Sequence, residues 1–190
     1  MTAGQRNCAH GRYDGMSGKI VTLVAALALA GAMPVYADGD PGSWQPQKTE
    51  LDYMGFTTTY SCDGLQSKLE MLLRQLGASS DAEVQAYGCD RFNAPSKFAR
   101  ASLKFATLHP VASDTDPAVP GKWRTVEFSP RRPFALGYGD CELIEQFRDK
   151  VLPLFATREL QGSIHCVPHQ LNSYSLKFQV FAPITAAHSK

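Results

Sequence analysis

No CxxC pair, GxSxG, GxxxxGKS/T or HExxH occurs anywhere in the 190 residues. The first absence removes support for a thiol redox motif or a zinc ribbon. The other three remove common signatures of an α/β-hydrolase, a P-loop nucleotide site and a zinc protease. An excess of one charge is missing too. From Asp38 onward sixteen Lys and Arg stand against seventeen Asp and Glu, which leaves no concentrated basic surface for nucleic acid or an anionic membrane. Arg131 and Arg132 form a lone basic doublet and read as solvated loop.

Long apolar runs are nearly absent. The one that exists, "IVTLVAALALAGAM" after Lys19, is too short for a span of about 20 residues, and no second one follows. With "PVYA" behind it, small residues at Val35 and Ala37, it reads as a signal peptide over 1–37, cleaved after Ala37. Met16 offers an alternative start, and Cys8 is lost with the leader. The expectation is a periplasmic or secreted protein with no integral membrane anchor after cleavage.

What is present is an even set of four cysteines in the mature chain, Cys62, Cys89, Cys141 and Cys166. In an exported protein these read as two disulfides. The mature chain of about 150 residues suits one domain. A flexible N-terminal segment is expected over 38–50 and the domain over 51–185.

The chain also repeats itself. "SLKFATLHP" at 102–110 returns 73 positions later as "SLKFQVFAP" at 175–183. Upstream, "YSCDGLQSKLEMLLRQLGA" answers to "YGDCELIEQFRDKVLPLFA", and the Cys62–Cys89 spacing of 27 answers to 25 between Cys141 and Cys166. Recurrence of cysteine, helix, cysteine and strand in one order indicates an internal duplication, with repeats at 51–110 and 122–185.

Local patterns agree inside each repeat. Leu65, Leu69, Leu72, Leu73 and Leu76 form an apolar helical stripe that Gly77 ends. Ile144, Phe147, Val151, Leu154 and Phe155 form a second stripe, with Asp140 as N-cap and Pro153 as its breaker. In each SLKF strand Leu and Phe face one way, Ser and Lys the other. Each half therefore reads β-α-β-β: strands near 51–59, 82–89 and 98–109 around a helix at 62–76, then strands near 122–129, 158–166 and 173–183 around a helix at 140–155. "HPVASDTDPAVPG" is the linker, where Asp114 and Asp116 are turn chemistry, and "SPRRPFALGYG" is an insertion before the second helix. The fold class expected is α+β: a two-layer sandwich, one antiparallel-rich six-stranded sheet with two helices on one face.

That topology chooses a disulfide pairing. A strand–helix–strand crossover makes its strands parallel, so the helix starts at the end of the sheet where the next strand finishes. Cys62 should then pair with Cys89, and Cys141 with Cys166. The same end collects Tyr60, Asp63, Tyr138 and Glu142, candidate binding residues, although acidic residues in a first helical turn ordinarily serve the helix dipole. It also collects His165 and His169. On a straight strand these two point to one face but stand about 13 Å apart, too far to share a copper or zinc ion unless Pro168 turns the chain. His109 and His188 show no relation to them.

The stretches "GFTTTYSCDGL" (55–65) and "LLRQLGASSDAEVQAYGC" (72–89) resemble a group of uncharacterised exported proteobacterial proteins. The resemblance covers mainly residues 55–110. It implies export and a disulfide-bonded α/β unit, and brings no activity or functional residues.

The leading functional reading is a non-enzymatic exported protein, with no cofactor, that binds a protein or cell-envelope component through its sheet face or its disulfide end, and not nucleic acid. The alternatives are metal handling through His165 and His169, and an enzyme of unrecognised class whose site is assembled from distant residues.

Overall fold

The structure, a computed structural model, describes residues 39–89, 92, 94–112 and 118–184. The leader and its cleavage point, Met16, Cys8, Asp114, Asp116 and His188 lie outside these residues.

The leucine stripe forms α1 (Cys62–Leu76), and all five leucines are fully buried. The Ser61 hydroxyl accepts from the Gly64 amide at 3.1 Å, which satisfies one of the free donors at the helix start. At the other end Gly77 takes the left-handed conformation, φ 77°, and the amides of Gly77 and Ala78 return to the carbonyls of Arg74 and Leu73. The second stripe gives a shorter helix, α2 (Cys141–Lys150), followed by a 3-10 turn at Leu152–Leu154. Pro153 enforces that break, having no amide to donate within a helix.

Six strands complete the chain: β1 (Asp40–Met54), β2 (Glu83–Tyr87), β3 (Phe98–Pro110), β4 (Val119–Phe128), β5 (Thr157–Ser163) and β6 (Ser175–Pro183). They make one antiparallel sheet in the order β2-β3-β1-β4-β6-β5. The order reads identically from either edge when β1, β2 and β3 are exchanged for β4, β5 and β6. β1 and β2 both run antiparallel to the strand between them and hence parallel to each other, as a crossover requires. Leu103, Phe105 and Thr107 of β3 and Leu176, Phe178 and Val180 of β6 are buried, whereas Lys104 and Lys177 are exposed. The protein is an α+β sandwich.

The segment expected to be flexible is strand from Asp40 onward, paired with β3 from Gly42↔Pro110 to Met54↔Phe98. Its polar, proline-bearing sequence hides this, because β1 lies beside β4 for three residues only, Asp40↔Gly121 to Gly42↔Val119. Beyond Gly42 one edge of β1 has no strand neighbour, and there a proline such as Pro46 is tolerated. At its far end β1 stops at Met54 rather than near residue 59. The chain turns at Gly55, whose missing Cβ leaves room for the Tyr53 hydroxyl and the Thr58 carbonyl.

The β1–β4 junction is crossed by a second small cluster. Phe181 and Leu108 lie over Gly42 and Gly121, and Trp123 packs on Phe181 with ring centroids 5.5 Å apart. From this junction β1 and β4 run on in opposite directions, yet the residues after β1 touch the start of α2, so the sheet bends sharply between them. That bend brings the starts of both helices together.

Candidate functional site

Each half is closed by its own disulfide, Cys62–Cys89 and Cys141–Cys166, at the start of its helix. Two structural bridges fit an oxidising compartment outside the cytoplasm. No described helix is long and apolar enough to cross a membrane.

Between the two helix starts lies a buried polar knot. Asp140, at the N-cap position of α2, does not cap the helix. Its carboxylate accepts instead from the Tyr60 hydroxyl, from Lys68 Nζ at 2.6 Å and from the Gly137 amide at 2.6 Å. Lys68 also donates to the Ala135 carbonyl, which pins the inserted loop onto α1. Tyr174 donates to the Gly137 carbonyl at 3.1 Å, and Tyr53 to the Thr58 carbonyl at 2.6 Å. Burial, followed by the charge of Asp140, holds the Tyr60 and Tyr174 hydroxyls well above the ordinary phenol range; for Tyr53 burial leads, then Glu142 and Asp140. These phenols remain protonated donors, which suits a structural clasp.

Glu142 belongs to the same clasp. It is only 5 % exposed. Its Oε2 accepts from the amides of Phe56 and Thr57 at 2.8 and 3.0 Å, and Oε1 from the Thr57 hydroxyl at 3.3 Å. One turn on, Gln146 takes the Met54 amide at 3.0 Å and donates to the Met54 carbonyl at 2.9 Å, standing where a neighbouring strand would be. Tyr60 and Glu142, read from sequence as binding residues, are thus interior groups that join the two halves. The reason is the bend in the sheet, which turns the disulfide ends toward each other. Asp63 and Tyr138 are exposed.

His165 and His169 are exposed, and His169, at φ 64°, sits 6.2 Å from the ring of Phe56. Among the described residues no three His, Cys, Asp or Glu side chains are grouped to hold a metal ion.

Sequence reasoning missed what surrounds the clasp. Large apolar side chains stand exposed in a strip centred on Met54. Met54 lines one hollow with Tyr87 and Phe98 and a second with Phe56. Phe56 meets the ring of His169, and Leu171 and Tyr138 are exposed as well. The six apolar members are 37 to 74 % exposed. Tyr87 and Phe98 fall at strand ends, where the period-two pattern gives no sign that an apolar residue will be left uncovered.

No family model, curated protein or solved structure matches the chain.

Proposed function

We propose that this is a periplasmic or secreted binding protein, built by duplication of a β-α-β-β unit, that engages a protein or envelope component through the apolar strip at its disulfide end. One observation carries the reading: exposed Met54 lines one hollow with Tyr87 and Phe98 and an adjoining one with Phe56. Contiguous uncovered apolar surface of this kind marks interaction sites. It borders a clasp whose polar groups already satisfy one another, which leaves the apolar side chains as the surface open to a partner. The leader and the two bridges support export. The sheet face away from the helices is part of this surface: Asp52 and Met54 of β1 and Phe98 and Arg100 of β3 are exposed on it, alternating with the buried Tyr53 and Ala99.

The test is retention of an envelope component on immobilised protein, with the retained species identified and then rebound in purified form. The triple variant Met54→Ser, Phe56→Ser, Phe98→Ser, shown by circular dichroism to keep its fold, should lose it. Equal retention by the variant defeats the reading.

A further inference from the structure

Resting on that reading, the geometry points to the partner's chemistry: an extended polypeptide with two large apolar side chains four residues apart and a Lys or Arg midway between them. Two hollows, of about 370 and 400 Å³, lie side by side in the strip. The first is floored by Tyr87, Phe98 and Ala99, the second by Phe56, Cys166 and Pro168. Asp52 and Met54 line both, so they form the ridge between them. Both hollows are open to solvent, which suits side chains of a chain laid across them better than an enclosed small molecule.

Charge identifies what crosses the ridge. Asp52, Glu142 and Glu145 line the two hollows, against a single cation, Arg100, which is bonded to Asp52 at 2.8 Å. Both oxygens of Glu142 are taken by residues 56 and 57, but the negative charge remains. The side chain of Asp52 is 73 % exposed and open to a second cation. A basic partner residue is drawn here, an acidic one repelled.

A partner residue standing over the shared ridge of Asp52 and Met54 needs one anchor on each side of it. In an extended peptide residues i, i+2 and i+4 share one face, and i to i+4 spans about 13 Å. Apolar anchors at i and i+4 enter the hollows while the cation at i+2 stands over Asp52.

The probes are fluorescein-labelled peptides of the pattern Phe-Gly-Lys-Gly-Phe within a glycine–serine frame, titrated by anisotropy against the oxidised protein. Matching peptides carry Glu or Ser in place of Lys, or Ser in place of both Phe. Binding of the Lys peptide, weakened about tenfold by Lys→Glu and by Asp52→Lys in the protein, and lost with the Phe→Ser peptide, is the expected result. The exposed Asp52 tolerates Asn as well, so Asp52→Asn, with a smaller loss, guards against misfolding of the charge reversal. Equal affinity for the Lys, Ser and Glu peptides overturns the inference. So does binding to neutral phosphatidylcholine vesicles with no peptide bound. If every peptide fails while the triple strip variant still loses the envelope component, this inference falls and the surface reading stands.

Discussion

Glu142 Oε2 accepts the amide of Phe56 at 2.8 Å across 86 residues of sequence, and so ties the first turn of the second helix to the end of the first strand. The same oxygen takes the Thr57 amide. The acidic residue that sequence assigns to a helix dipole is here the hinge pin between the two halves.

Glu142→Ala should therefore destabilise the protein by about 2 to 3 kcal/mol, since it leaves two backbone donors without their charged acceptor. Glu142→Gln keeps one carbonyl oxygen in place and should cost about 1 kcal/mol. Urea unfolding of the oxidised proteins measures both. An alanine variant as stable as the parent would show that water replaces the carboxylate without loss.

The buried phenols predict the alkaline limit of stability. Tyr53, Tyr60 and Tyr174 have folded pKa values raised above 10.0, so once the pH passes that value the unfolded chain gives up protons that the folded one retains. The unfolded state then binds fewer protons, and stability falls as pH rises. Below pH 10 their contribution is fully present. Above it, each should cost about 1.4 kcal/mol per pH unit until the fold is lost. The urea midpoint should be insensitive to these groups from pH 7 to 9 and drop steeply beyond 10, and Tyr60→Phe should make the drop shallower. An unchanged slope in that variant would remove Tyr60 from the account.

How much of this was legible in the chain follows from how local each signal is. The leucines of α1 fall at helical spacing, Gly77 ends them, and Pro153 shortens α2 by chemistry confined to one residue. The SLKF strands alternate because the helices cover one face of each. The crossover then orients each helix start toward the cysteine after the next strand. By contrast, Asp140 and Tyr60 are 80 residues apart, and nothing near either says that the two helix starts will meet and bury them together. β1 escapes for a related reason: before Leu51 only Gly42, under Phe181 and Leu108, is buried, so no apolar alternation marks its first ten residues as strand. The strip is invisible because an exposed Met or Phe reads, in a sequence, as core.

Gly42 and Gly121 lie under the small cluster at the β1–β4 junction. A Cβ on Gly121 would lie 2.6 Å from Phe181 Cζ and 2.8 Å from Leu108 Cδ2. Gly121→Ala should cost about 1 to 3 kcal/mol through overpacking of that cluster. Because the clash is with Phe181, the double variant Gly121→Ala, Phe181→Ala should be less destabilised than the sum of the two single changes, by 0.5 kcal/mol or more. Strict additivity in urea would mean that β4 moves away from the cluster instead.

The disulfides close loops of 27 and 25 residues, so in the chain-entropy account each should stabilise by about 3.5 kcal/mol. Replacing Cys62 and Cys89 by Ala, or Cys141 and Cys166 by Ala, should lower stability by that amount. The second pair should cost more, because Cys141 is 1 % exposed and its removal leaves a gap against the core. Loss of both removes about 7 kcal/mol. A domain's whole stability is about 5 to 15 kcal/mol, so the doubly substituted or fully reduced chain should be unfolded or nearly so at 37 °C. With three residue pairs joining β1 to β4, the bridges, the clasp between the helix starts and the shared core hold the halves, and loss of both bridges removes a large part of that support. Circular dichroism of the reduced protein is the measurement, and a reduced chain that keeps a cooperative transition near the oxidised one would show that the clasp alone suffices.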